Sequence, residues 1–138
     1  MFENPSDEVI EKILSSAKTI AVVGLSDQPN RPSYGVAHYL QQQGYKIIPV
    51  NPNAEEVLGV PAVPSLSALD EVVDIIDVFR NSAALEGVVR ESLGLSAPTI
   101  WAQLGVHDET AAQLALAHGK TIIMDKCLKV EHARLVRR

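Results

Sequence analysis

The sequence predicts an α/β domain in which a parallel sheet of about five main strands is covered by helices on both faces. Three observations carry this expectation. Short, nearly all-apolar runs rich in Val and Ile recur along the chain, as strands buried on both faces require. Between them lie amphipathic stretches of roughly 10–15 residues, the length at which helices make the crossovers of a parallel sheet. The 138 residues are 46% hydrophobic and 21% charged, a globular balance that fits one domain over residues 1–138.

Asn4-Pro5-Ser6-Asp7 reads as the start of the first helix. Asn4 caps it, Pro5 takes the first helical position, and Asp7 stands where the dipole favours an acid. Val9, Ile10, Ile13 and Leu14 give this helix its apolar stripe. Thr19 to Leu25 is the first strand. A helix from about Tyr34 to Gln43 ends at Gly44, a residue suited to the left-handed turn past a helix. Lys46 to Asn51 is the second strand, followed by an irregular stretch with Pro52, Gly59, Pro61 and Pro64 and a short extra strand near Val60 to Val63. Val72 to Phe79 is the third strand, and Ala83 to Leu93 a helix ended by Gly94. Thr99 to Leu104 is the fourth strand, Asp108 to His118 a helix ended by Gly119, and Thr121 to Met124 the fifth strand. A last short helix follows Lys126. The sum is a Rossmann-like three-layer fold. Strand order 3-2-1-4-5 is expected, because the most ligand-like loop follows the first strand; a flavodoxin-like order is the alternative.

The net charge of −5 argues against nucleic acid as the main partner. The basic tail of Arg134, Arg137 and Arg138 is too short to reverse that. A ligand bearing phosphates remains compatible, since a local site needs only backbone amides and one or two cations. Cys127 is the single cysteine, so neither an internal disulfide nor a multi-thiolate metal site is expected. The first residues do not read as a targeting peptide, and no apolar run reaches the roughly 18–20 residues that cross a bilayer. A cytoplasmic location and no membrane partner are the expectations.

In such a sheet, ligands bind beyond the carboxyl ends of the strands. The segments that should lie there collect Ser26, Arg31, Ser33, Tyr34, Asn51, Arg80, Asn81 and Gln103, whereas the strand interiors are apolar apart from Asp74 and Asp77. Gly24-Leu25-Ser26 begins as a dinucleotide turn does, but G-x-G-x-x-G is incomplete: Ser26 and Pro29 stand at its second and third glycines. The acid that would hold a nicotinamide cofactor's ribose is replaced by Asn51. Ordinary NAD binding is disfavoured, and no P-loop for ATP hydrolysis is expected.

Taken together, Gly24-Leu25-Ser26, Arg31-Pro32-Ser33-Tyr34, Ile48-Pro49-Val50-Asn51-Pro52, Asp77-Val78-Phe79-Arg80, Trp101-Ala102-Gln103-Leu104-Gly105 and Met124-Asp125-Lys126-Cys127 resemble the signature of the small CoA-binding-domain family. That family is similar to the amino-terminal domain of the succinyl-CoA synthetase alpha subunit, and the resemblance runs from about Lys18 to Leu135. It implies a coenzyme A site. Gly24, Leu25 and Ser26 would lie against the diphosphate or pantetheine, and Arg31, Ser33 and Tyr34 would complete the phosphate region. Asn51 and Pro52 would sit near the adenosine and its 3′-phosphate. Phe79 and Arg80 would flank the adenine or pantetheine, while Gln103 and Gly105 would reach the distal arm.

The resemblance brings no catalytic machinery, because acyl phosphate chemistry in the larger synthetases uses a histidine-bearing second domain and a separate nucleotide-binding part. No catalytic residue and no metal ligand is assigned. His38, His107, His118 and His132 are expected to be structural or solvent-facing. Asp74 and Asp77 should point to opposite faces of their strand and take hydrogen bonds from helix or strand ends. Trp101 is expected in the core, with Ile100 and Leu104 continuing a buried strand, and Cys127 as an inert, partly buried thiol. The chain thus reads as a stand-alone module binding CoA or an acyl-CoA as carrier, sensor or partner. The alternatives are a nicotinamide- or adenine-nucleotide enzyme, and an interaction domain with a vestigial pocket. The acyl group and any protein partner are left open.

Overall fold

Apolar residues on both sides of each strand dictate where the chain turns inward. The computed structural model describes residues 1–136. In chain order it contains α1 (Asp7–Ser16), β1 (Thr19–Val23), α2 (Pro32–Gln42), β2 (Lys46–Val50), β3 (Glu56–Val57), β4 (Val60–Pro61), β5 (Ile75–Val78), α3 (Ser82–Ser92), β6 (Thr99–Ala102), α4 (Glu109–Ala117), β7 (Thr121–Ile123) and α5 (Leu128–Leu135). Five strands form one sheet in the order β2-β1-β5-β6-β7, all parallel. Its two faces carry separate cores. Ala21, Ile76, Val78 and Ile100 pack under Leu85 and Val89 of α3 and Ala111 and Ala115 of α4. Ile20, Val22, Ile75 and Trp101 pack under Ile10 of α1, Leu40 of α2 and Leu128 of α5. The three-layer Rossmann-like fold is therefore present, with helices on both faces.

The strand order corrects the one expected. Numbered along the main sheet it is 2-1-3-4-5, the flavodoxin-like alternative. The reason lies at the outer edge of β2. The chain after β2 pairs with itself as the β3–β4 hairpin, and only Val63 touches the edge, by a parallel bridge to Val50. Val63 donates to the Pro49 carbonyl at 2.9 Å. A residue's amide and carbonyl face the same neighbour, so the nitrogen of Pro49, which carries no hydrogen, also faces this edge and a longer ladder cannot form. With Val63 counted as a one-residue strand, the order becomes 3-2-1-4-5-6. In either description the connection after β1 runs toward β2 and the one after β5 runs toward β6, in opposite directions from adjacent strands. That is the switch point.

Helix ends correct the reading in two places. Ser6, not Asn4, caps α1 by accepting from the Val9 amide. The side chain of Asn4 instead donates to the Met124 carbonyl at 2.9 Å and accepts from the Met124 amide at 2.8 Å, tying the chain start to the end of β7. α2 begins at Pro32 rather than Tyr34, with Pro at its first position. β6 stops at Ala102, so Leu104 does not continue a buried strand but is exposed. Trp101 is fully buried, as expected, and donates from its ring nitrogen to the Lys126 carbonyl.

Candidate functional site

The loops that follow β1, β2, β5, β6 and β7 meet at one edge of the sheet, and the shortest separation is between the first and third. Gly24 follows β1 with φ +84°, and a Cβ there would stand 2.5 Å from the Phe79 carbonyl oxygen. Only glycine supplies both the backbone angle and that approach. The Gly24 amide donates to Val50 O, and Phe79 donates to Val23 O, so the three strand ends are laced together. Asn51 adds a further tie. Its Nδ2 donates to Leu25 O at 2.9 Å, and its Oδ1 accepts from the Asn53 amide at 2.8 Å.

Two cavities open on this edge and share Phe79 and Arg80. One, of about 450 Å³, is bounded by Gly24, Asn51, Pro52, Asn53 and Ser65 and by Val88 and Glu91 of α3. The other, of about 440 Å³, lies on the opposite face of the sheet, between Pro32 and Val36 of α2, Gln103, Leu104, Val106 and Cys127. Its wall is mostly apolar. Phe79 and Arg80 form the crest between them, immediately past β5, so a long ligand could cross the switch point and lie in both.

Of the residues singled out from the sequence, Gly24, Asn51, Pro52, Phe79, Arg80 and Gln103 border these cavities. Six do not. Leu25 is fully buried and belongs to the α2-side core, so only its backbone reaches the edge. Ser26 and Ser33 shape the first loop: the Ser33 Oγ accepts from the Ser26 amide at 3.0 Å, and the Ser26 Oγ accepts from the Gln28 amide at 3.0 Å. Arg31 is exposed at the N-cap of α2, next to the cavity residue Pro32, and Tyr34 packs against the α2-side core beside His38. Gly105 has φ +83° and donates to Asp125 Oδ1 at 2.6 Å, which holds the loop after β6. The sequence reading missed Val36 and Val88, which carry no polar signature and are turned toward the cavities by the packing of α2 and α3. Leu104 and Cys127, quoted there within loop motifs but not as site residues, line the apolar cavity.

Charge and capping distinguish this edge further. Neither Arg31 nor Arg80 is in a salt bridge among the described residues. Ser6, Asn81 and Asp108 cap α1, α3 and α4 with side-chain acceptors, whereas α2 and α5 have no side-chain cap and begin beside the second cavity. Uncapped amides and positive helix ends favour an anion. None of the described histidines borders either cavity. His38, His107 and His118 are exposed, and His132 is buried between Tyr39 and Tyr45, with its Nδ1 2.9 Å from the Tyr39 hydroxyl.

Asp74 and Asp77 separate as expected. Asp74 accepts from the Lys18 and Thr19 amides at 2.8 and 3.0 Å, fastening the start of β1. Asp77 departs from the expected strand-end role: it is fully buried, and its Oδ1 accepts from Gln103 Nε2 at 2.5 Å. Its Oδ2 has no partner. Burial pushes the Asp77 carboxyl up to about 7, against the opposing effect of the Gln103 hydrogen bond. Gly119-Lys120-Thr121 contains the Gly-Lys-Thr of a phosphate loop, but position 114, where the P-loop's first glycine would stand, is Leu. The triplet also enters a strand instead of a helix, at the opposite edge of the sheet, and the Lys120 ammonium donates to Leu95 O and Ala97 O.

The fold defines the class: a Rossmann-like α/β domain whose polar groups gather at the carboxyl edge of the sheet, beside its switch point. Comparison with known proteins makes the class specific: the chain belongs to the CoA binding domain family, which matches residues 18–133. The uncharacterized protein YneT of Bacillus subtilis is 51% identical over 131 residues, covering 95% of this chain and 97% of YneT. A solved structure from Thermus thermophilus is 42% identical and superposes with a TM-score of 0.91 over 95% of this chain and 99% of that one. An ADP-forming acetate–CoA ligase of Archaeoglobus fulgidus is 37% identical over 76 residues, which is 54% of this chain but 11% of the ligase.

Proposed function

We propose that this protein binds coenzyme A or an acyl-CoA across the switch point and performs no chemistry on it. The observation that carries the reading is the pair of cavities sharing Phe79 and Arg80, one more polar and one mostly apolar. CoA has the same two-part character. Its adenosine would lie in the cavity of Asn51, Pro52 and Asn53, and its diphosphate at the crest, between Arg80 and the uncapped start of α2 beside Arg31. Its pantetheine arm would run past Phe79 into the cavity of Gln103, Leu104 and Cys127. CoA supplies a thiol carrier for acyl groups; this chain's residues would bind and orient it. Family membership supports the same ligand. Asn51 stands where a ribose-binding acid would, and its amide is occupied in joining the first two loops.

Calorimetric titration with CoA, acetyl-CoA, NAD and NADP tests this. CoA is expected to bind with a dissociation constant in the micromolar range, about 8 kcal/mol, and NAD much more weakly. Arg31→Ala and Arg80→Ala should each weaken CoA binding by roughly 10- to 150-fold, the usual worth of a charge-assisted contact. Removing Arg137 and Arg138, which lie outside the described residues, should leave it nearly unchanged. NAD binding more tightly than CoA would overturn the assignment. Formation of acyl-CoA from a carboxylic acid, ATP and CoA, abolished by Arg80→Ala, would overturn the non-catalytic part alone.

A further inference from the structure

One polar pair lies beneath the apolar cavity. Asp77 stands near the middle of the sheet, with Val22 and Trp101 as its neighbours in register on β1 and β6. Among the described residues the only side-chain hydrogen-bond partner of its carboxyl is Gln103, which is nearly buried and also forms part of the cavity wall. The Gln103 amide points Nε2 at Asp77. Its Oε1 has no partner among the described residues and is not sealed from solvent, so this oxygen is the polar side-chain atom that Gln103 offers to the cavity.

We propose that Asp77 and Gln103 act as a proton-dependent selector of the hydrogen-bond sense that the cavity presents to the pantetheine arm, an inference that rests on the CoA reading above. With Asp77 ionised, the carboxylate fixes the Gln103 N–H inward and its carbonyl outward, so the ligand must donate. An amide N–H of the arm then completes a chain of N–H···O=C–N–H···O⁻ bonds, each polarising the next. When solvent protonates Asp77 on Oδ1, that hydroxyl becomes a donor, and the unpartnered Oδ2 becomes the oxygen of a neutral carboxyl group, cheaper to bury than a charged one. Gln103 can then turn its amide, accept from Asp77 and show an N–H to the cavity, so the ligand must accept. The two states favour opposite ends of an amide.

The surroundings leave Asp77 as the group that changes charge. On α5, Glu131 pairs with Arg134, and Lys129 lies over the Tyr39 ring. His132 of α5 and Tyr39 of α2 contact each other, while Tyr34 and His38 of α2 stand side by side. On α1, Asp7 pairs with Arg134, and Glu8 and Lys12 are exposed; Glu11 completes the titratable groups of that helix. Arg31, Arg80, Lys126 and Cys127 stand at the loop edge. The causes that act on Asp77 are its burial and Gln103, not any of these charges.

The test is CoA affinity from pH 5.5 to 8.5 for the wild type and Asp77→Asn, with ADP, which lacks the arm, as a second probe. Titrations of CoA itself are common to both proteins and cancel in the comparison. Relative to the variant, wild-type affinity for CoA should rise about fivefold as pH passes through 7, the worth of one hydrogen bond, while ADP shows no such difference. Equal pH profiles for the two proteins, with CoA bound by both, would overturn the selector and leave the CoA site standing. Failure of the wild type to bind CoA would remove both. If Asp77→Asn does not fold, the carboxyl carbon of Asp77 can be followed by NMR in the wild type. Saturating CoA should move its titration midpoint down by about 0.7 of a pH unit, the equivalent of fivefold; an unmoved midpoint would overturn the proposal.

Discussion

A carboxylate enclosed by a sheet makes stability depend on pH in a direction opposite to the usual one. Asp77 titrates at about 7 in the folded protein, against 3.8 as the ordinary value. Between those values the folded chain holds a proton that the unfolded chain has released, so stability falls as pH rises. The contribution is fully present below about pH 4 and is lost as pH rises through about 7. Asp77→Asn cannot ionise and should escape the loss. Urea denaturation of both proteins at pH 4 and pH 8 should show the difference moving in the variant's favour by on the order of 4 kcal/mol. A difference that stays constant with pH would show that Asp77 is not held protonated. At the same scale, Gly24 was legible from the sequence as a close-approach glycine, although what it approaches is the Phe79 carbonyl.

Helices in this protein start in two ways, with a side-chain cap on α1, α3 and α4 and without one on α2 and α5. α4 is capped by Asp108, which borders neither cavity and whose carboxylate accepts from the Ala111 amide at 2.8 Å. Asp108→Ala should therefore cost about 1 kcal/mol of stability, measured by urea denaturation, without changing CoA affinity. A loss of affinity along with stability would mean that α4 is coupled to the binding edge. The loops also brace one another. Ser82 Oγ accepts from the His107 amide at 3.0 Å and donates to Gly105 O at 3.3 Å, joining the start of α3 to the loop after β6. That bridge gives Gly105 its structural part at the edge even though it borders neither cavity.

For the whole molecule, a ligand that binds only the folded state adds stability according to its saturation. CoA at a hundred times its dissociation constant should contribute about 2.7 kcal/mol and raise the midpoint of thermal unfolding by about 8 °C in a domain of this size. Differential scanning calorimetry with and without CoA measures this, and removing CoA by dialysis should return the midpoint. NAD at the same concentration should give a much smaller shift. A midpoint unaffected by CoA at that saturation would contradict specific binding to the fold.

Strand and helix identity, the two-sided sheet and the family were legible in the sequence because each rests on local patterning. Val- and Ile-rich runs need burial wherever they occur, and Gly44 and Gly119 permit the left-handed turns past α2 and α4. Loop motifs such as Gly24-Leu25-Ser26 and Phe79-Arg80 keep their order along the chain, and six of the twelve residues named from them border the two cavities. What the tertiary structure decided required groups distant in sequence to meet. The strand order turned on β5 pairing with β1 instead of with the outer edge of β2, and the capping of α1 on Asn4 finding Met124 across 120 residues. The apolar cavity formed because α2 and α5 bring Val36 and Cys127 to the same side of Gln103. The pairing of Asp77 with Gln103 arose from the register of β5 against β6, which no spacing along the chain encodes. Local sequence fixes which residues seek burial or a turn, whereas a hydrogen-bond partner is fixed only when the sheet closes and leaves a polar atom no other neighbour.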